Sequence, residues 1–250
     1  MPHYDFRTPR LCVDAPLTAG ATLTLDAAPA NYVRNVLRLG QGDPVLVFNG
    51  REGEWLATLA IPTKRAVALV LQERTREQTA ALDLHYLFAP LKHARIDYMA
   101  QKAVEMGASR LQPVLTRHTQ VQRVNLDRMR ANAIEAAEQC GILTLAAIAE
   151  PVPLTGALED RDPGRLLVFC DEDADVKDPV TALMAARDVR GPCPLAVLVG
   201  PEGGFGEDER AAILATPNVV RLALGPRILR ADTAAVAALA LVGAVLGDWR

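Results

Sequence analysis

"LAVLVGPEGGFGEDER" occupies Leu195–Arg210, and it passes from an unbroken apolar run to glycines and then to acids. Five apolar residues without polar alternation suit a strand covered on both faces, as the strands of parallel sheets are. Gly200, Gly203, Gly204 and Gly206 follow at the strand's C-terminal end, where glycine lets a backbone turn tightly and approach a ligand. The acids of EDER then suit the positive end of a helix dipole. No Lys-Ser/Thr follows the glycines, and G-P-E-G-G-F-G is not G-x-G-x-x-G, so neither common phosphate-binding fingerprint is present. A strand-to-helix turn accounts for a glycine or two. Four of them with Pro201 and Glu202 exceed what a turn requires.

Working outward, the same alternation recurs. Apolar runs at HYLFAPL, LQPVL, RLLVFC, PLAVLVG and VVRLALG are each followed by a helical pattern. Ile96, Met99, Ala103 and Met106 recur at helical spacing as one stripe, with Gly107 placed as a C-terminal cap. Strand–helix alternation with apolar strands predicts an α/β domain with a parallel sheet, and ligands of such sheets bind beyond the strands' carboxyl ends. A second loop of interest is therefore "LALGPRILRADTAAVAALAL", Leu222–Leu241. Gly225-Pro226 breaks a strand there, and Asp232 or Thr233 is the expected N-cap of an alanine-rich helix. Arg230 sits against the dipole of that helix, and a local rule broken without visible compensation marks a functional position.

Before residue 75 the character differs. ATLTLDA, DPVLVFNG, EWLATLA and AVALVLQE read as strands, Asn49-Gly50 as a turn between two of them, and NYVRNVLRLG as one helical segment. This predicts a small β domain over residues 1–74, with LQERTREQTA as a charged linker and the α/β domain over 75–250. The chain's 250 residues suffice to bury both cores. Its net charge of −3 excludes an overall basic nucleic-acid binder but not a local basic face. Residues 92–130 supply one: eight Lys/Arg against three acids. Cys12, Cys140, Cys170 and Cys193 lie far apart without a CxxC pair, so neither a disulfide framework nor a zinc site is expected, and a reducing cytoplasm fits. The N-terminus has no apolar signal region, and the apolar run Ala234–Leu246 is too short to span a membrane.

LVGPEGGFGEDE together with LALGPRILRADTAAVAAL resembles the paired C-terminal signatures of the RsmE family of 16S ribosomal RNA uridine-N3 methyltransferases, in the SPOUT superfamily. NYVRNVLRLGQGD, QKAVEMGASRLQPVLTRHT and AIEAAEQC resemble further family segments, so the likeness covers nearly the whole chain. Two positions depart: Asp232 stands where the family usually has Glu, and Ile142 where it commonly has Arg. The resemblance implies a PUA-like β-barrel ahead of a trefoil-knotted methyltransferase domain, a topology that pattern alone excludes by default. It implies S-adenosylmethionine as cofactor, no metal, a homodimer in the cytoplasm, and the small ribosomal subunit's 16S RNA as partner, with no membrane. The methyl acceptor would be N3 of one uridine of the decoding region, uridine-1498 in ribosomal numbering. Val199, Gly200, Pro201, Gly203, Gly204, Leu222, Leu224 and Gly225 would line the cofactor, with Ile228 and Leu229 close behind.

The chemistry assigns roles on that basis. Uridine N3 is protonated at neutral pH and nucleophilic only as an anion whose charge spreads onto O2 and O4. A guanidinium aimed at those oxygens favours the anion, and Arg230 is the candidate. Asp232 and Glu202 are the candidate proton acceptors, Asp232 alternatively orienting Arg230. Arg34 and Arg38, four apart and so expected on one helix face, join Lys92, Lys102 and Arg117 as candidate RNA contacts. His3, His85, His93 and His118 are scattered, with His118 beside Arg117 either facing RNA or simply at the surface. Two other readings stand beside this one: a ribose-2′-O methyltransferase of the same superfamily, against which GPRILRAD argues, and a non-catalytic RNA-binding assembly factor.

Overall fold

The computed structural model describes residues 5–63, 66–92, 94–121 and 123–249; His3 and His93 lie outside them. The chain divides into two compact units, one of Met1–Ala80 with Ile134–Leu145, the other of Ala81–Ala133 with Ala146–Arg250.

In the first unit β1 (Arg10–Cys12), β2 (Thr22–Thr24), β3 (Pro44–Phe48), β4 (Glu54–Ala60) and β5 (Ala68–Arg76) form one sheet in the order β1-β3-β4-β5-β2. Only β1–β3 is parallel. Val45, Val47, Ala57, Leu59, Leu69 and Leu71 turn one side of it into a core that also takes Val33. Val33 comes from α1 (Ala27–Asn31) and the π-helical turn Tyr32–Val36 that continues it. At the Asn49-Gly50 turn, Gly50 has φ +82, and Asn49 Oδ1 accepts the backbone N–H of Arg51 and of Glu52 at 3.0 and 3.1 Å.

The charged stretch Leu71–Ala80 is not a linker at its start, because β5 continues through it to Arg76. Ladder hydrogen bonds to β4 ask for no apolar side chains, and the end of this strand is held instead by charge. Glu54, buried at a register shift of the β4–β5 pairing, accepts Arg10 Nε at 2.8 Å, Arg76 Nε at 3.1 Å and Thr75 Oγ1 at 2.9 Å. Arg76 Nη2 and Gln78 Nε2 reach on to the carbonyls of Gly141 and Leu143 at 2.7 and 3.1 Å. Glu138, of the AIEAAEQC segment, accepts the backbone N–H of Cys12 at 2.8 Å. Burial pushes the Glu138 carboxyl up to about 7.

The second unit carries the parallel sheet. Its strands are β6 (Leu84–Phe88), β7 (Arg110–Leu115), β8 (Ala147–Ile148), β9 (Val152–Pro153), β10 (Leu166–Cys170), β11 (Leu195–Val199) and β12 (Val219–Leu222), in the order β12-β10-β11-β6-β7-β8 with β9 also beside β7. All pairs are parallel, which the unbroken apolar runs predict. Helices α2 (Ala94–Glu105), α3 (Leu126–Cys140), α4 (Leu154–Glu159), α5 (Pro179–Arg190), α6 (Glu207–Ala215) and α7 (Ala231–Val245) connect them; α3 belongs to this unit only as far as Ala133. Met99 and Ala103 of the expected α2 stripe are buried, Ile96 and Met106 half-buried, and Gly107 at φ +90 ends the helix. The fully buried Tyr86 stacks on Phe88 at 5.0 Å between ring centroids. Its hydroxyl donates to Met99 Sδ at 2.9 Å.

One expectation fails at α7. Its N-cap is Arg230 (φ −67, ψ 151), not Asp232 or Thr233, and the Arg230 side chain makes no capping hydrogen bond. The backbone is still extended at Arg230 while its carbonyl already accepts Ala234 N–H at 2.8 Å. The helix thus begins one residue before the side chain best suited to cap it. Asp232 lies in the first turn, its Oδ1 accepting Thr233 N–H at 3.1 Å. Among the described residues no helix is long and apolar enough to cross a membrane.

Candidate active site

Three neighbouring strands, β10, β11 and β12, end on the same edge of the sheet, and the loops that follow them enclose a cavity of about 800 Å³. That volume suits a small organic ligand. All ten residues expected against the cofactor line it: Val199, Gly200, Pro201, Gly203 and Gly204 after β11, and Leu222, Leu224, Gly225, Ile228 and Leu229 after β12.

The β11 loop is tightly held. Gly200 packs against the Phe205 ring so closely that a Cβ there would stand 2.6 Å from Cε2, so only glycine fits. Phe205 in turn meets Phe169 edge-on at 5.3 Å. Glu202 is ion-paired with Arg95 of α2. His118 is exposed, as a surface histidine would be, and it also touches this loop: its Cβ is the near neighbour of Gly203, and its Nδ1 lies 3.2 Å from the Gly204 carbonyl. A carbonyl only accepts, so Nδ1 is the protonated nitrogen. Glu209 accepts Gly206 N–H at 2.9 Å and Arg117 N–H at 2.7 Å, closing the start of α6.

The β12 loop is built differently. Gly225, at φ +90, makes the turn that a side chain would strain. Beyond it Arg227 and Arg230 are exposed and their side chains have no hydrogen-bond or ion-pair partner among the described residues, and Ile228 is 100% exposed. Ala231 and Ala234 face the cavity. Arg230 and Asp232, on either side of Ala231 in the chain, border this wall and do not line it. No ion pair joins those two residues among the described ones, so Asp232 does not orient Arg230 by direct contact.

The third wall was not anticipated. Asp171 lies at the end of β10 with its carboxylate 4% exposed, and it accepts Arg210 Nη2 at 3.0 Å and Arg221 Nε at 2.7 Å. Burial alone would raise this carboxyl; hydrogen bonds from Arg221, Arg210 and the Asp173 amide outweigh it and hold the pKa below its ordinary value. Asp171 N–H also donates to Leu222 O at 3.0 Å, so the group ties the three loops together. It is therefore a fixed anion and not a base. Neighbouring Cys170 is no nucleophile either, since burial, with Asp171 adding, pushes its thiol up to about 12. The acids of "FCDEDAD" after an apolar strand were the available signal for this wall; its arginines, 39 and 50 residues further on, gave none.

Of the candidate RNA contacts, Lys92 and Arg117 are exposed. Lys102 is held by Glu105 at 2.7 Å and lies over the Tyr98 ring. Arg34 and Arg38 are exposed but do not share a helix face by α-helical spacing. Arg34 lies in the π-helical turn, and Arg38 lies beyond it in left-handed backbone at φ +58. His85 is half-buried, and burial with Arg165 lowers its pKa to about 4, so it is neutral near pH 7.

A family model for an RNA methyltransferase domain matches residues 78–243, and one for an RNA methyltransferase PUA domain matches residues 25–72. The ribosomal RNA small subunit methyltransferase E of Synechocystis is 30% identical over 95% of this chain and 78% of its own length. Its counterpart from Rickettsia conorii is 29% identical over 85% of each. Among solved structures, a methyltransferase of Legionella pneumophila with bound SAM superposes with a TM-score of 0.84 at 27% identity, over 97% of this chain and 99% of that one. The ribosomal RNA small subunit methyltransferase E of Neisseria gonorrhoeae, bound to S-adenosyl methionine, does so at 0.82 and 25%, over 98% and 100%. The parallel α/β domain preceded by a PUA-like β domain is the fold that the motifs implied.

Proposed function

The chain belongs to the RsmE family of ribosomal RNA small subunit methyltransferases, and we propose that it methylates N3 of one uridine in the decoding region of 16S RNA, using S-adenosylmethionine. The observation that carries this reading is the cavity at the ends of β10, β11 and β12, walled by both signature loops. The fit to the cofactor is chemical as well as spatial. Leu222, Leu224, Leu229 and the glycine backbone offer an apolar slot, and, with Asp171 engaged by Arg210 and Arg221, Glu172 and Asp173 supply the negative charge that a sulfonium and an ammonium favour. When bound, S-adenosylmethionine supplies a methyl group already activated on sulfur.

The protein's share of the work is to hold the acceptor base and make its nitrogen nucleophilic. Arg230, uncommitted at the cavity rim, donates to the uracil oxygens and stabilises the N3 anion. Of the two carboxylates, Glu202 is taken by Arg95, whereas Asp232 makes no ion pair among the described residues. Asp232 therefore receives the N3 proton. Arg34, Arg38, Lys92, Lys102 and Arg117 are assigned to the RNA backbone, where contacts position the substrate without selecting its sequence. The same reading includes action in the cytoplasm, where small subunits are found, and a homodimer, for which the exposed Val180 and Met184 of α5 offer an apolar face.

The test is transfer of labelled methyl from S-adenosylmethionine to small subunits from cells lacking this protein, followed by nucleoside analysis. Label in 3-methyluridine is the expected result. Label in a 2′-O-methylated nucleoside would overturn the chemistry, and absence of both transfer and cofactor binding would favour the assembly-factor reading.

A further inference from the structure

The loop after β12 places two unpartnered cations on either side of a bare hydrophobe. Arg227 and Arg230 are exposed without a partner among the described residues, and between them Ile228 is 100% exposed while Leu229 is half-buried. All of this lies at the mouth of the cavity. A fully solvated isoleucine gains nothing in the free protein, because its stabilising contribution comes only with removal from water. The charge beside it says what would cover it. S-adenosylmethionine carries a sulfonium and an ammonium against one carboxylate, a net positive charge that two bare guanidiniums disfavour and that the carboxylates of Glu172 and Asp173, elsewhere on the cavity wall, suit. A nucleotide unit of RNA is the complementary ligand: a phosphate for a guanidinium and an uncharged flat face for an aliphatic side chain. Enzymes that act on a base take it out of its stack and hold it against apolar side chains.

We infer that Ile228 and Arg227 bind the acceptor nucleotide and not the cofactor, Ile228 packing on the face of the extruded uracil and Arg227 holding an adjacent backbone phosphate. Ile228 then leaves the cofactor wall to Leu222, Leu224 and Leu229. This inference rests on the function proposed above, and it makes the RIL segment a substrate clamp placed immediately before the base-activating Arg230.

Two binding measurements test it, independent of turnover: calorimetry with S-adenosylmethionine, and salt-dependent binding to unmodified small subunits. Both variants remove side chains that make no described contact, so the fold should be unaffected. Ile228→Ala should weaken subunit binding by on the order of tenfold, the worth of the aliphatic carbons it no longer removes from water, with cofactor affinity and salt slope unchanged. Ile228→Leu should restore it. Arg227→Ala should reduce the slope of log affinity against log salt by about one phosphate contact. If either Ala variant loses as much cofactor affinity as subunit affinity, or loses neither, the assignment is wrong. A wild-type protein that binds subunits but transfers no methyl would instead count against the proposed reaction, and the two failures are thus distinguishable.

Discussion

The glycine loop after β11 and the arginine loop after β12 border one cavity and are held in opposite ways. Around Gly200–Gly206 the loop is pinned at three points: Glu202 by Arg95, the Gly204 carbonyl by His118, the Gly206 amide by Glu209. Around Gly225–Arg230 the cationic side chains have no described partner and Ile228 lies bare. Such pinning fixes a binding surface before the ligand arrives, which lowers the entropic cost of binding. Leaving side chains uncommitted keeps their hydrogen-bonding capacity for a substrate. On the proposed function, the first loop serves the cofactor together with Leu222, Leu224 and Leu229, and the Arg227–Arg230 segment of the second serves RNA and chemistry.

That division is open to direct attack. The largest effect is expected at the unpinned loop: Arg230→Ala should cost about a hundredfold in single-turnover methyl transfer, the worth of one preorganised donor. Cofactor affinity by calorimetry should stay unchanged. A loss of comparable size, about a hundredfold, is expected for Asp232→Asn if it removes the proton acceptor; Glu202→Gln should cost far less, and the reverse order would move the base to the glycine loop. Gly200→Ala comes next. Its methyl would meet the Phe205 ring, and overpacking of this kind costs about 1–3 kcal/mol, so S-adenosylmethionine should bind on the order of tenfold more weakly. Glu209→Ala removes the acceptor for two backbone amides, a capping loss of about 1 kcal/mol, measurable as a small drop in melting temperature with a few-fold weaker cofactor binding. Arg95→Ala breaks only a partly exposed pair, worth about 0.2–1 kcal/mol, and should shift cofactor affinity by no more than a few-fold. Should these glycine-loop variants change RNA affinity and leave cofactor affinity alone, the two loops would exchange roles.

The sequence displays these loops well and their fastenings poorly. Apolar runs reveal β6, β7, β10, β11 and β12 because a buried parallel strand can carry few polar residues. The glycines and the Gly-Pro break stand where those runs stop. His118, by contrast, reads as the surface residue it is, and nothing in the sequence says that its loop, after β7, reaches Gly203. Leu71–Ala80 reads as a linker for a related reason: a strand end held by Glu54, Arg10 and Arg76 shows no apolar period. Nor does the pattern of α3 announce that its second half, through Glu138, and the turn after it, through Gly141 and Leu143, belong with the N-terminal unit.

Sequence alone therefore determined the central strands β6, β7, β10, β11 and β12, their alternation with helices in a parallel α/β domain behind a small β domain, and which two loops carry the signatures. Those properties follow from hydrophobic period and turn chemistry, which act over a few residues. The tertiary structure decided which charges meet: Asp171 with Arg210 and Arg221, Arg95 with Glu202 across 107 residues, and that the Arg227 and Arg230 side chains have no partner among the described residues. Whether a guanidinium is spent on a neighbour or kept for a substrate depends on distances of a few ångströms between segments far apart in the chain. Only the strand order sets those distances.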